Sequence, residues 1–239
     1  MQLRDFEVLT FDCYGTLIDW ESGMLKALEP LTDRLEVELA PDAILEAHSF
    51  YESTQQAQTP TMRYPDILSV VYKRLAEAWG VAVSWEECER YGDSVRFWPA
   101  FPDSAEALGY LKEHYRLVIL SNVDNRSFAA SNEKLGVSFD AIYTAQDIGS
   151  YKPADANFSY MLEHLDKLGV AKEKILHTAE SLFHDHQPAN RHGLHSCWIH
   201  RRHAKEGFGA TRDPGAMPHI DFRFRSMAEL VEAHRAEGR

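Results

Sequence analysis

Cysteine is scarce in this chain of 239 residues, where only Cys13, Cys88 and Cys197 occur. An odd number of cysteines at wide spacing suggests neither a disulfide framework nor a zinc ribbon. Such sparse use of cysteine fits a reducing compartment best. The segment Met1–Glu7 also carries acidic residues where a secretory signal needs a basic segment and then an apolar run. We therefore expect a cytoplasmic protein.

Basic residues are also few, since 25 Lys and Arg stand against 37 Asp and Glu and leave a net charge of −12. A general binder of nucleic acid needs a basic face, so this balance argues against such a partner. Long apolar runs are missing too, because stretches such as Leu117–Leu120 fall far short of the roughly 20 residues of a membrane span. A hydrophobic content of 44% is nevertheless enough for a large core, and the length predicts one large domain or a domain with a sizeable insertion.

Short apolar runs alternate with helical patterns in most of the chain. The predicted strands are residues 7–11, Leu117–Leu120, Phe139–Tyr143, Ile175–Thr178 and Ser196–Ile199, and the predicted helices between them include Phe128–Leu135 and Phe158–Leu168. Strands that alternate with helices indicate successive βαβ units. The sequence therefore predicts an α/β fold with a parallel sheet.

The region between the first strand and the second has a different texture. Apolar residues recur there at helical spacing, as at Met24, Leu28 and Leu31. The piece 51–60 is polar, lacks this period and is predicted to be rich in turns. We expect a sheet domain made of residues 1–16 and 99–239, with a helical cap of residues 17–98 inserted after the first strand.

Polar side chains follow the predicted strands at the points where ligands bind in open parallel sheets. They are Asp12, Tyr14 and Thr16 after the first strand, Ser121 and Asn122 after the second, Lys152 before the helix at Phe158, and Glu180 and Asp185 after Ile175–Thr178. An aspartate at a strand end, or Ser121 with Asn122, is by itself typical of a helix cap or a turn, and Lys152 by itself is typical of a solvated side chain. Their combination in this order indicates a common site.

The combination suits hydrolysis by a carboxylate nucleophile. A carboxylate such as Asp12 divides one hard hydrolysis into two easier steps through a covalent ester or acyl phosphate. A nearby cation, here Lys152, would position it. Hydroxyl, amide and backbone donors would hold an anionic substrate, and Thr16, Ser121 and Asn122 are the candidates. A second acid has three open roles: to position water, to orient the lysine or to bind a metal.

Four segments resemble the haloacid dehalogenase superfamily of aspartate-nucleophile hydrolases. They are Phe11–Leu17, Leu120–Asp124, Tyr151–Pro153 and Ala179–Asp185, in the order of the family and across nearly the whole chain. The resemblance implies a Rossmann-like core with a helical cap, Asp12 as the covalent nucleophile, and a small molecule as the substrate.

Tyr14 stands where most phosphatases of the superfamily carry a second, acidic aspartate. The sequence Asp-x-Tyr-Gly-Thr resembles the L-2-haloacid dehalogenases, which displace halide beside a carboxylate without a metal. We therefore expect no cofactor; magnesium, held by Glu180 and Asp185, belongs to the phosphatase alternative. Those dehalogenases usually carry a halide-binding cap arginine, which residues 46–50 lack, and Phe158 stands where they have tyrosine.

A longer resemblance links the chain to the azetidine-2-carboxylate hydrolases of the same superfamily, which open a strained four-membered imino acid ring. It includes Leu9–Trp20, Trp98–Asp103, His177–Ala189 and Gly207–Thr211. A ring amine needs no cationic halide receptor, and Glu180 suits a departing ammonium. Ring opening is the predicted reaction, with L-2-haloacid dehalogenation and magnesium-dependent phosphate hydrolysis as alternatives.

The resemblance implies a role for each residue of the site. Asp12 attacks, Lys152 positions it, Asp185 with Glu180 directs water, and Tyr14, Thr16, Ser121, Asn122 and Phe158 contact a carboxylic or imino acid substrate. Arg63 is an unaligned candidate for binding halide. Gln55 and Gln56 either face the substrate amine or form a loop. His184 and His186 do not share a helix face, so we expect no metal there. The sequence leaves open whether the chain forms a homodimer.

Overall fold

A computed structural model describes residues 1–238, and a parallel sheet of six strands forms its centre. The strands are β1 (Val8–Phe11), β2 (Arg116–Ser121), β3 (Ala141–Thr144), β4 (Ile175–Ala179), β5 (His195–Ile199) and β6 (Phe222–Phe224). Their order across the sheet is β3-β2-β1-β4-β5-β6. The predicted α/β fold with a Rossmann-like parallel sheet is confirmed, and the short edge strand β6 is an addition to it.

Strand β1 lies at the centre, where Phe11 pairs with Ile119 of β2 and Thr178 of β4. The carboxyl ends of β1, β2 and β4 therefore meet at one edge of the sheet. All four residues of β1 are buried, as expected for a parallel strand covered on both faces. Successive side chains alternate between the faces, so Leu9 and Phe11 pack into one core and Val8 into the other.

Ten α-helices accompany the sheet within the described part of the chain. They are α1 (Trp20–Thr32), α2 (Pro41–Gln58), α3 (Tyr64–Ala78), α4 (Trp85–Gly92), α5 (Ser104–Lys112), α6 (Asn125–Leu135), α7 (Ala145–Ile148), α8 (Asp155–Lys167), α9 (Gln187–Arg191) and α10 (Met227–Ala236). No helix of residues 1–238 combines the length and the apolar character that crossing a membrane would require.

Local side-chain chemistry begins and ends several of these helices. The Asp124 carboxylate accepts hydrogen bonds from the first backbone N–H groups of α6, and Gly136 ends that helix with a positive φ of 67°. In α4, Ser84 and Glu87 form a reciprocal capping box. These signals are readable in the sequence, and they explain why the helix boundaries lie where they do.

Helices α1–α4 lie between β1 and β2 in the chain. The prediction that residues 51–60 are rich in turns is wrong, because α2 continues to Gln58. The reason is that α2 buries a polar face: Glu52, Gln55 and Gln56 are each only 5–6% exposed. A helix whose buried side is polar shows no apolar period.

Candidate active site

Asp12 follows the last residue of β1, and its backbone N–H still donates to Thr178 O at 3.2 Å. Asp12 is 6% exposed, and its carboxylate is held at both oxygens. Oδ1 accepts from Lys152 Nζ at 2.9 Å, and Oδ2 accepts from Thr16 Oγ1 at 2.9 Å. Gly15 turns the chain back with a φ of 92°, which is a conformation that favours glycine. The turn therefore places Thr16 beneath Asp12.

Lys152 is the cation of the site, and its side chain is almost completely buried. Nζ donates to Asp12 Oδ1 at 2.9 Å, to Asp185 Oδ1 at 2.6 Å and to Leu120 O at 2.9 Å. These bonds use all three donors of an ammonium group. Burial alone would lower the pKa of Lys152, but the two carboxylates raise it above its ordinary value. The lysine therefore stays charged.

The Asn122 side chain holds the backbone of this lysine. Its Oδ1 accepts from Lys152 N at 2.7 Å, and its Nδ2 donates to Lys152 O at 3.0 Å. The Asn122 amide thus fixes the backbone of Lys152, and two carboxylates fix its ammonium group. A cation held in this way needs no reorganisation when charge changes nearby.

Asp185 lies in a π-helical turn, Leu182–His186, that follows β4 and is capped by the Ser181 hydroxyl. Its Oδ1 accepts from Lys152 and also from His177 Nε2 at 3.0 Å. Burial opposes ionisation of Asp185, but Lys152 and His177 outweigh it and hold the pKa of this carboxyl well below its usual range. At Asp12, burial and the Asp185 charge raise the pKa despite Lys152. The two carboxyls therefore differ in basicity.

A cavity of about 30 Å³ opens above these groups. Its walls are formed by Asp12, Tyr14, Trp20, Glu52, Gln56, Tyr64, Asn122, Lys152, Ser181, His184 and Asp185. The strand ends provide one side of the cavity, and α1, α2 and α3 provide the other. This volume is far below the roughly 300–1,000 Å³ of ligand pockets, so a substrate of this site has to be small.

Two predicted substrate contacts lie behind the cavity wall. The Thr16 hydroxyl donates to Asp12 and accepts from Glu180 N at 2.9 Å, so both of its bonds serve the protein. Ser121 Oγ is buried, and within residues 1–238 it has no hydrogen-bond partner. Among the described residues, the backbone N–H groups of Cys13, Tyr14 and Asn122 also donate to no protein acceptor. Free donors thus gather at the ends of β1 and β2.

Phe158 and Glu180 also do not line the cavity. Phe158 is 0% exposed on α8, and its ring packs edge-on against His177, 5.1 Å between centroids. It therefore supports the histidine that contacts Asp185. The Glu180 carboxylate turns towards Thr211, whose hydroxyl donates to it at 3.3 Å. Burial and the nearby Glu21 charge raise the pKa of Glu180 to about 8.

Helix α2 contributes a carboxyl that the sequence motifs do not identify. Glu52 is 6% exposed and lines the cavity together with Gln56, whose Nε2 donates to Glu52 Oε1 at 3.2 Å. His48 Nδ1 lies 3.6 Å from Glu52 Oε2. The spacing of residues 48, 52 and 56 places all three side chains on one helix face. This row of polar residues is the sequence feature from which Glu52 could have been identified. Of the two glutamines considered, Gln56 lines the cavity, whereas Gln55 donates to Thr59.

Arginine does not line the cavity anywhere in residues 1–238. Arg63 is exposed, and its Nε donates to Asp66 at 3.2 Å. Arg212 lines a neighbouring groove, which shares Gln56, Lys152 and His184 with the cavity. No arginine is thus in place to receive a halide in the cavity.

The acidic side chains of the site are engaged with other groups of the protein. Within residues 1–238, no group of three or more His, Cys, Asp or Glu side chains could hold a metal ion. The Lys152 ammonium bridges Asp12 and Asp185, and Glu180 points to Thr211. The two histidines beside Asp185 have separate partners, Ser181 for His184 and the Ala179 carbonyl for His186.

Comparisons with known proteins concern the family and the fold of the chain. A family model described as haloacid dehalogenase-like hydrolase matches residues 6–178. The L-2-haloacid dehalogenase from Xanthobacter autotrophicus, also solved with chloropropionic acid covalently bound, is 18% identical over 96% of this chain and 98% of its own, with a TM-score of 0.77. The defluorinating L-2-haloacid dehalogenase Rha0230 is 18% identical over 96% and 95%, with a TM-score of 0.77.

Magnesium-bound YfnB from Bacillus subtilis, a HAD-hydrolase, is also 18% identical, over 96% of this chain and 99% of its own, with a TM-score of 0.75. At such identities the likeness to solved structures concerns the fold. No curated protein matches the sequence.

Proposed function

The chain belongs to the haloacid dehalogenase-like hydrolases, and we propose that Asp12 attacks the α-carbon of a small carboxylic or imino acid. One observation carries the proposal: a buried ammonium, Lys152, bridges Asp12 and Asp185 at the floor of a small cavity. The covalent chloropropionic acid in the Xanthobacter enzyme supports a covalent intermediate by analogy.

In the first step, one Asp12 oxygen forms an ester bond to the α-carbon while the leaving group departs with the bonding electrons. Lys152 and Thr16 hold the two carboxylate oxygens and so orient the attack. The substrate carboxylate would lie against the backbone N–H groups of Tyr14 and Asn122, two residues of the cavity wall at the ends of β1 and β2. Fixed donors of this kind stabilise an anion without reorganisation.

In the second step, water adds to Cγ of the Asp12 ester, the bond between Cγ and the ester oxygen breaks, and the product leaves as an alcohol. One proton of the water goes to the alcohol oxygen and the other is released. Asp185 lies in the cavity wall beside Asp12 and would orient this water. Its lowered pKa keeps it an acceptor.

The cavity wall favours an amine as the leaving group. A departing halide needs a cation or free donors, but no arginine of residues 1–238 lines the cavity, and Lys152 already has three acceptors. A departing amine needs an acceptor or an acid, and Glu52 provides a carboxyl. One unmatched buried polar contact costs about 1–3 kcal/mol. We therefore propose ring-opening of L-azetidine-2-carboxylate to a 2-hydroxy-4-amino acid.

Dehalogenation is the second candidate, and the fold of the solved dehalogenases favours it. Phosphate ester hydrolysis is disfavoured, because Tyr14 stands at the position of the general acid and burial raises its pKa well above its ordinary value. Its hydroxyl is also bonded to Ser131 Oγ at 2.9 Å. We accordingly propose that turnover needs no metal, since Lys152 lies between the two carboxylates that a metal would need.

The purified protein should be assayed with L-azetidine-2-carboxylate, L-2-chloropropionate and p-nitrophenyl phosphate, each with and without EDTA. We expect the imino acid to have the highest kcat/KM and its turnover to survive chelation. Efficient dechlorination without ring opening would replace the proposed reaction by dehalogenation. Phosphatase activity that EDTA abolishes would overturn both the nature of the substrate and the metal-free chemistry.

A further inference from the structure

We propose that Glu52 receives the substrate nitrogen and gives it a proton as the ring opens, an inference that rests on the proposed ring-opening function. Glu52 lies on α2, in the part of the cavity wall formed by the helices, whereas Asp12 follows a strand of the sheet. Its carboxyl is buried, and within residues 1–238 its one partner at ion-pair distance is His48. A buried acid without a permanent cation can accept a cationic group from a ligand.

The surroundings of Glu52 bring its pKa close to neutral pH. The titratable groups that face it are His48 on α2, Tyr64 on α3, Tyr91 on α4, Tyr151 beside Lys152, and Tyr14, Asp12, Lys152, His184 and Asp185 around the cavity. Burial raises the pKa of Glu52 to about 7, and the Tyr64 hydroxyl offsets part of that rise. Burial lowers the pKa of His48 to about 3, so this neighbour adds no charge.

The chemistry balances with Glu52 as the proton donor. The substrate ring nitrogen enters protonated, and Asp12 forms its ester bond while the bond from the α-carbon to nitrogen breaks. The bonding electrons move to nitrogen, which leaves a neutral primary amine. Glu52 then gives its proton to this amine, and the product ammonium pairs with the Glu52 carboxylate. The proton that water releases during ester hydrolysis restores the acid.

The other groups of the wall suit this role less well. Asp185 is bonded to Lys152 and His177, and its lowered pKa leaves it without a proton to donate. Burial lowers the pKa of His184 to about 4, and burial raises the pKa of Tyr64 well above its ordinary value. Glu180, which the family resemblance assigned to the leaving amine, bonds to Thr211 outside the wall.

The test compares Glu52→Gln, Glu52→Asp and Glu46→Gln in the full-length protein with L-azetidine-2-carboxylate as substrate. Glu46 is an exposed glutamate on the same helix, so Glu46→Gln matches the change in chemistry away from the cavity. General acid catalysis contributes roughly 100-fold or more to rate. We expect Glu52→Gln to lower kcat by about that factor, and Glu46→Gln to leave kcat within about twofold.

The pH profile separates proton donation from a structural role. In the wild type, kcat/KM should fall as pH rises above about 7, because Glu52 of the free enzyme loses its proton there. Glu52→Gln should lack this fall, while the shorter acid in Glu52→Asp should keep it at a reduced rate. Circular dichroism and thermal unfolding check that each variant folds. If Glu52→Gln does not fold, Glu52→Asp tests whether an acid at this position sets the pH profile.

Three outcomes would overturn the inference. Glu52→Gln with near wild-type kcat shows that Glu52 is not the donor, and so does the same fall above pH 7 in that variant. Both results leave ring opening itself intact. A wild-type protein that leaves the ring closed overturns the proposed function and the role of Glu52 together.

Discussion

Replacing Lys152 by methionine removes the ammonium that contacts both Asp12 and Asp185. Nζ makes three charge-assisted hydrogen bonds. At about 1.5 kcal/mol each, the lower end for bonds to charged groups, they amount to about 4–5 kcal/mol. Removal of one member of a buried ion pair costs a similar amount, about 3–5 kcal/mol. We expect Lys152→Met to lower the free energy of unfolding at neutral pH by about 3–5 kcal/mol.

The carboxyls of Asp12 and Asp185 determine how the loss of stability in Lys152→Met changes with pH. Without the cation, burial raises the folded-state pKa of both above the unfolded value of about 4. A carboxyl with a raised folded-state pKa contributes stability at low pH, which is lost as pH rises. In the wild type, the pKa of Asp185 is lowered, so the contribution of Asp185 to stability is present at neutral pH and is lost as pH falls. Lys152→Met should therefore recover part of its loss between about pH 7 and pH 5.

Urea unfolding followed by circular dichroism at both pH values measures this effect. Lys26→Met is the matched control, because Lys26 is exposed and pairs with exposed Glu29. Surface pairs are worth about 0–1 kcal/mol, so this variant should change little at either pH. The electrostatic reasoning fails if Lys152→Met loses less than about 1 kcal/mol, or loses the same amount at both pH values.

Two further predictions follow from the turn after β1 and from the acids of the cavity. A Cβ at Gly15 would lie 2.9 Å from Trp20 Nε1 on a backbone with a φ of 92°, so Gly15→Ala should cost about 1–3 kcal/mol in thermal unfolding; an unchanged melting temperature would contradict this. The plot of kcat/KM against pH should be bell-shaped, because Asp12 must be ionised and Glu52, with a pKa of about 7, must keep its proton. A flat basic side would contradict the role of Glu52.

The strand-end residues of the site were within reach of sequence reasoning. Asp12, Lys152 and Asp185 follow or precede buried apolar runs in a recognisable order, and a parallel sheet brings the carboxyl ends of its strands together. The structure places these three side chains in direct contact. Their chain positions and the topology of the sheet are sufficient to predict that proximity.

The directions in which individual side chains point cannot be predicted from chain position and sheet topology. Glu180 has the aligned position, but its backbone N–H bonds to Thr16 while its carboxylate turns to Thr211 in a distant loop. Glu52 and Tyr64 reach the cavity because of how α2 and α3 pack, and no local pattern encodes that packing. Buried polar faces such as that of α2 lack the apolar period on which helix prediction relies.

The most direct test of the central claim, that Asp12 is a covalent nucleophile, is a single-turnover reaction in H₂¹⁸O with enzyme in excess over L-azetidine-2-carboxylate. Mass spectrometry of the product and of the peptide that contains Asp12 locates the label, and Asp12→Asn is the control that should form no product. A covalent ester predicts an unlabelled hydroxyl in the product and one ¹⁸O in the Asp12 carboxylate. A product that carries ¹⁸O, with unlabelled Asp12, would contradict it and show direct attack by water.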